Sequence, residues 1–281
     1  MWNGSENHDY KVKILENKKD KINYVFYPYD NPKIDTEEKI KAVVQMFANG
    51  SLRKQKVFNE WCVAEGRVFN KIDVVDNIND YRIREIGIGI DYGSVNPTTF
   101  VPVALAYNTS NQQWELLRLE IYYHDARKYE DNPTTEYYSN QLREFIFYLK
   151  QKYQNIPITE IVIDSEATHY CNRLDADNIP YSKAVKGSGS VDDGVQLLQS
   201  LVSKGYFTIL RHNSITHFYN NGKCELSGKD EGILEFESYQ YDRVHSEKNG
   251  TNCYKKENDH SIDAIRYIIE KFKETGRCPV V

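Results

Sequence analysis

Three places in the chain put carboxylates where a metal ion or a phosphate could be met. Ile86-Gly87-Ile88-Gly89-Ile90 alternates strictly and ends in Asp91, with the isoleucines facing one way and the glycines and Asp91 the other. Ile161-Val162-Ile163 is a short apolar run ending in Asp164. Asp259-His260-Ser261-Ile262-Asp263 opens a helical stretch in which Asp259 and Asp263 are four apart and His260 and Asp263 three apart, so they share a face. A lone aspartate at a strand end is better read as a turn cap, but two such strands side by side would bring two carboxylates to one sheet edge. Like charges that close need a cation between them, or one must hold a proton. Oxygen donors of this kind suit Mg²⁺ or Mn²⁺ rather than zinc. Two such ions roughly 4 Å apart can activate a water and stabilise the leaving oxygen of a phosphodiester. Asp259 reads equally well as a helix N-cap. The plain reading of His260 is a surface side chain, and Glu166 reads as an exposed turn residue that could assist.

The elements that must position these groups follow from periodicity. After the strand ending at Asp91, strands are expected near Phe100–Tyr107 and Trp114–Tyr123, joined by the Asn108-Thr109-Ser110-Asn111 turn. A helix is expected from Asn132-Pro133 to Tyr153, with Tyr138, Leu142, Phe145, Ile146 and Leu149 on one stripe. Asp192–Ser203 reads as helix, Tyr206–Leu210 as strand, and Leu234–Tyr241 as a late strand or hairpin. The last helix spans Asp259–Lys273, with Ile262, Ile265, Ile268, Ile269 and Phe272 inward. Upstream, Tyr24–Tyr27 is a short apolar stretch and Glu37–Phe47 has helical spacing. Asp76-Asn77-Ile78-Asn79-Asp80 reads as a polar linker. The order is that of an α/β domain with a mixed sheet.

Bulk properties narrow the classes. Hydrophobic residues at 40% and charged residues at 27% are a globular balance, which excludes wholesale disorder. The formal charge of −5 argues against a protein held on DNA by a broad basic surface, but not against DNA as substrate, because bound metal ions are absent from that sum. The five cysteines form no CxxC pair, which fits a reducing cytoplasm better than a zinc or disulfide framework. The 22 tyrosines fit an AT-rich coding genome as readily as a function and carry little weight. No apolar run approaches the length that spans a bilayer, and the Met1–Glu6 start lacks the pattern of a secretion signal.

Residues 86–275 resemble the nuclease domain of a tailed-phage terminase large subunit, an RNase H-like fold. The pieces that carry the resemblance are Gly89-Ile90-Asp91-Tyr92-Gly93, Val162-Ile163-Asp164-Ser165, Lys186-Gly187-Ser188-Gly189-Ser190 and Asp259-His260-Ser261-Ile262-Asp263-Ala264-Ile265-Arg266-Tyr267, the last being the most specific. Glu60–Phe69 resembles the stretch where such proteins leave their ATPase domain. The resemblance implies an RNase H-like mixed sheet flanked by helices behind a short N-terminal extension. It places residues 1–80 as the end of an ATPase domain with its linker and 81–281 as the nuclease. It implies metal-binding aspartates at Asp91, Asp164 and Asp263, with His260 as a catalytic neighbour and Asp259 and Glu166 as further candidates. Lys186 falls in a loop that touches DNA phosphate or orders the site, with a solvated loop lysine as the even alternative. The motor's phosphate-cradling Gly-x4-Gly-Lys-Ser/Thr loop has no counterpart, since Gly222-Lys223-Cys224 and Gly228-Lys229-Asp230 both fail the pattern. A truncated prophage product or half of a split gene would look like this.

The implied function is metal-dependent cleavage of double-stranded phage DNA, with little sequence specificity, during genome packaging in the host cytoplasm. The implied cofactors are two Mg²⁺ or Mn²⁺ ions. The implied partners are the duplex, the portal, the small terminase subunit and a motor ATPase domain, with no membrane. The rival readings are a non-catalytic docking module of the packaging motor and an RNase H-like resolvase-type nuclease.

Overall fold

The alternating isoleucines run along β2 (Tyr81–Asp91), the strand around which the sheet is organised. The computed structural model describes residues 66–128, 133–154, 156–187, 189–242, 244–246 and 252–279. The chain divides into two units, Met1–Asn70 and Lys71–Val281, and the description that follows is of the second. The stretches expected at Tyr24–Tyr27 and Glu37–Phe47, and most of Glu60–Phe69, lie outside the described residues.

Antiparallel to β2 lies β3 (Thr98–Asn108), and the turn at Asn108–Asn111 returns the chain into β4 (Gln113–Arg118). The single strand expected over Trp114–Tyr123 is therefore two. β4 pairs with the second half of β3, then the chain passes through Leu119–Ile121 into β5 (Tyr122–His124), which pairs with Thr98–Phe100 at the start of β3. The break changes neighbours: β4 is flanked by β8 (Phe207–Leu210), whereas β5 is flanked by β9 (Ile215–Phe218), itself paired with β10 (Cys224–Leu226). On the other side of β2, β6 (Ile158–Ile163) and β7 (Ser182–Lys183) add in parallel. The sheet order β4-β3-β2-β6-β7, antiparallel then parallel, is the helix-flanked RNase H-like arrangement. At the far rim β1 (Asp73–Val75) pairs in parallel with β8, so the second unit begins upstream of the boundary expected at residue 80. Asp76–Asp80 is then a turn between two strands of one sheet.

The helices cover both faces. α1 (Thr135–Lys152), capped by the Thr134 side chain, buries Tyr138, Leu142, Phe145 and Leu149 in the cluster that holds Ile86, Ile88 and Ile90. α2 (Thr168–Ala176), which periodicity did not reveal, adds Tyr170, Cys171 and Leu174 to it. α3 (Ser190–Ser203) follows β7. Leu234–Tyr241 is not a strand: it lies largely in α4 (Glu231–Ser238). Asp230 caps this helix by accepting from the Ile233 amide at 3.1 Å, and Ile233 and Phe236, three apart, are buried on one side, which is a helical period. The final helix, α5 (His260–Glu274), buries Ile262, Ile265, Ile268, Ile269 and Phe272 as expected.

α5 lies against the glycine face of β2. A Cβ added at Gly89 would stand 2.6 Å from the carbonyl carbon of Ala264 and closer still to its oxygen; one at Gly87 would stand 2.8 Å from the Phe272 ring. The glycines leave the room that this close helix needs. Gly89→Ala is expected to lower unfolding free energy in urea by about 3 kcal/mol, because a backbone carbonyl cannot rotate aside. Gly228, whose added Cβ would meet nothing within 4 Å, is the control, and Gly228→Ala should stay within about 0.5 kcal/mol of wild type.

Candidate functional site

Strand register brings the first two carboxylates together. Ile90 pairs with Ile163, so Asp91 and Asp164 leave the sheet side by side, and the Asp164 amide donates to the Ile90 carbonyl at 3.4 Å. α5 is tied to both. His260 Nδ1 donates to Asp91 Oδ2 at 2.8 Å, and two turns on, the Tyr267 hydroxyl donates to Asp164 Oδ2 at 3.3 Å. Asp263 lies between them on the same stripe, three from His260 and four from Tyr267. Thr99, opposite Asp91 on β3, donates from its hydroxyl to the His260 carbonyl at 3.3 Å, which fixes the start of the helix. Asp91, Asp164, Asp263 and His260 thus gather at one end of the sheet.

Beside the Asp91–His260 pair, Asp164 and Asp263 are each answered by a cation of the protein itself. Lys186 Nζ stands 2.7 Å from Asp164 Oδ1 and 2.9 Å from Oδ2, and 3.1 Å from exposed Glu166. The backbone amide of Glu166 also donates to Asp164 Oδ1 at 2.8 Å. Lys186 is thus held between Asp164 and Glu166. Arg266, buried, reaches Asp263 Oδ1 with Nε at 3.1 Å and Nη2 at 3.0 Å. Asp259 is the N-cap of α5 by position, but its side chain makes no capping bond; it is 6% exposed, and its Oδ2 is a buried oxygen with no hydrogen-bond partner. Lys256 stands 3.9 Å from it. The capping expected of Asp259 comes instead from Glu235 on α4. Its Oε2 accepts from the Ser261 amide at 2.6 Å and from the Ser261 hydroxyl, while Oε1 accepts from Tyr123 at 2.8 Å.

The electrostatics of the cluster are those of crowded negative charge. Burial pushes the Asp91 carboxyl up, as do Asp263 and Asp164, against the pull of His260. Asp259 is pushed up to about 6 by burial and then by Asp263. Complete burial takes Glu235 up to about 7, even against its bonds from Ser261. For His260, burial disfavours the imidazolium, but the hydrogen bond and charge of Asp91, with Glu235 and Asp259 behind it, outweigh that, and its net shift is upward. The donor chemistry, hard carboxylate oxygens with one orphaned at Asp259, fits a divalent cation of the Mg²⁺ or Mn²⁺ class. In the conformation described, protein cations hold these oxygens, and no three Asp, Glu, His or Cys side chains among the described residues stand close enough to share an ion.

Sequence reasoning missed three participants. Arg266 and Tyr267 stood in the quoted motif without a role. Glu235 was lost to a strand reading; the signal that could have found it is the acidic cap pattern of Asp230-Glu231 before an Ile233/Phe236 helical pair.

No protein-family model and no curated protein matches the chain. Among solved structures it is similar to the large terminase of the thermophilic bacteriophage D6E, with a TM-score of 0.57 and 22% identity over 96% of this chain and 61% of that one. The same terminase in complex with ADP gives 0.56 and 22% over 95% and 60%. The large terminase nuclease of thermophilic phage G20c with bound magnesium gives 0.43 and 17% over 73% and 96%. The chain has the fold of a phage large terminase, as its motifs implied, and spans about three fifths of the length of the D6E terminase it matches.

All four upward shifts have one sign. A group whose folded pKa exceeds its unfolded value contributes stability below the unfolded pKa and loses it as pH rises through the folded one. The metal-free protein is therefore expected to melt at progressively lower temperature as pH rises from about 4.5 to about 7, the range over which Glu235 is shifted. Scanning calorimetry in EDTA across that range checks it, and Glu235→Gln should flatten the slope.

Proposed function

We propose that this chain hydrolyses phosphodiester bonds of double-stranded phage DNA, with little sequence specificity, as the cutting half of a packaging machine. The observation that carries the reading is the gathering of Asp91, Asp164 and Asp263 from β2, β6 and α5 at one sheet end, braced by His260 and Tyr267. Divalent ions held there would activate water and stabilise the leaving oxygen. Asp91, Asp164 and Asp263 are the residues that would hold them, with Asp259 within reach of the same cluster.

The chain's own groups then divide the work. His260, with Nδ1 committed to Asp91, has Nε2 left to hold or pass a proton within the site. Lys186 and Arg266 balance the carboxylates while no ion is present. Lys186, on a glycine-rich loop, is the group able to exchange a carboxylate for a DNA phosphate as an ion enters. With a formal charge of −5, the chain's hold on DNA rests on few cations and should weaken steeply with salt. In this reading the portal, the small terminase subunit and a motor ATPase domain present the duplex.

Plasmid cleavage with Mn²⁺ tests the assignment. Asp164→Ala, Asp91→Ala and Asp263→Ala are each expected to cut more than about 100-fold slower than wild type. Undiminished cutting by Asp164→Ala would sink the assignment. One observation favours the rival docking module, namely that Asp91, Asp164 and Asp263 each have a cationic or imidazole partner within about 3 Å, and Asp259 has Lys256 at 3.9 Å. Calorimetric titration separates the two, since a docking module would give no heat of Mn²⁺ binding.

A further inference from the structure

α5 carries His260 and Asp263 in its first turn with Asp259 at the N-cap position, so whatever holds that turn sets where three side chains of the site stand. The residue in the N-cap position does not hold it, since the Asp259 side chain makes no capping bond. The Ser261 amide and hydroxyl both point to Glu235 Oε2, at 2.6 and 2.5 Å. Glu235 is in turn fixed from two other elements. Its second oxygen accepts from Tyr123 of β5 at 2.8 Å, and α4 is anchored at its start by Asp230. Asp230 caps α4 with one oxygen and accepts from buried Arg118 of β4 with the other at 2.7 Å. A chain of charged and hydroxyl contacts therefore runs from the sheet through α4 to the head of α5.

We infer that Glu235 is a positioning residue of the site: from α4 it caps α5 in place of Asp259, leaving the Asp259 carboxylate free of the helix amides and setting where His260 and Asp263 stand. A helix start whose own cap residue is withheld must borrow an acceptor, and a carboxylate accepting from both the amide and the hydroxyl of Ser261 is the strongest neutral-donor arrangement available there. The catalytic part of this inference rests on the nuclease reading; the capping part does not.

The test uses the full chain and two kinds of readout. In metal-free protein, the Ser261 amide proton should lie downfield and exchange slowly. In Glu235→Leu it should move upfield and exchange at least about tenfold faster, whereas Glu235→Gln, which keeps an acceptor oxygen, should stay near wild type. Asp259→Ala should leave that amide unmoved. In Mn²⁺-dependent plasmid nicking, Glu235→Leu should lose at least about tenfold in kcat with KM for DNA within about twofold, and Glu235→Gln should recover most of it. The inference is overturned if a cooperatively melting Glu235→Leu protein keeps wild-type kcat, if Glu235→Gln is as impaired as Glu235→Leu, or if Asp259→Ala shifts the Ser261 amide. Should Glu235→Leu fail to fold, the amide measured in wild type, Glu235→Gln and Asp259→Ala decides. A wild-type chain that does not cut DNA defeats the nuclease reading, while the amide shifts still judge the cap.

Discussion

The approach of α5 to β2 across Gly89 is the contact on which the rest of the site depends. A strand that must deliver a carboxylate at its tip and also accept a helix carbonyl on the same face can carry no side chain there. Gly87 and Gly89 meet that condition, and the alternating Ile86, Ile88 and Ile90 spend their bulk on the opposite face with α1 and α2. One strand thereby serves as a core strand on one side and as a bed for a polar-headed helix on the other. The distance between the Asp91 tip and the α5 head follows from that bed, and Asp164 follows from the β2–β6 register.

With the backbone so fixed, the side chains must cope with crowded acidity. They do so by two routes. Lys186 and Arg266 lend positive charge to Asp164 and Asp263, and His260 lends a hydrogen bond to Asp91. Asp259 and Glu235 are displaced upward in pKa and lean toward neutrality instead. A pair of close carboxylates with neither remedy would open the helix away from the strand. The cations here are a side-chain answer to a charge density that a bound ion would otherwise meet.

How much of this could be read from residues depends on whether a local period survived. β2, β6, α1 and α5 announced themselves, because each has a clean apolar stripe and an unambiguous end. The carboxylates they carry were legible for the same reason. α4 was hidden because Leu234, Phe236, Ser238 and Tyr239 mimic alternation, while the helical pair Ile233 and Phe236 straddles the window. The break at Leu119–Ile121 was invisible because both sides are apolar and only the neighbouring strand changes. The tyrosines deserved more weight than composition gave them. Tyr122, Tyr138 and Tyr170 are fully buried, and Tyr92, next to Asp91, stacks on Tyr170 at 4.7 Å. Partnerships such as Lys186 with Asp164 or Glu235 with Ser261 span 22 and 26 residues, and no local pattern encodes them.

The short strand at the rim gives the domain a mechanical character. β1 contributes three residues of parallel pairing to β8, and β8, β4 and β3 stand between it and β2. Tension entering along the backbone at Lys71 would peel β1 from the rim before loading anything else. It would next arrive at Tyr81, the end of β2 opposite Asp91, with ten paired positions of β3 in between. Asp91 is set at the far end of β2, so a pull entering at Lys71 meets the three-residue pairing of β1 with β8 before it reaches the strand that positions this carboxylate.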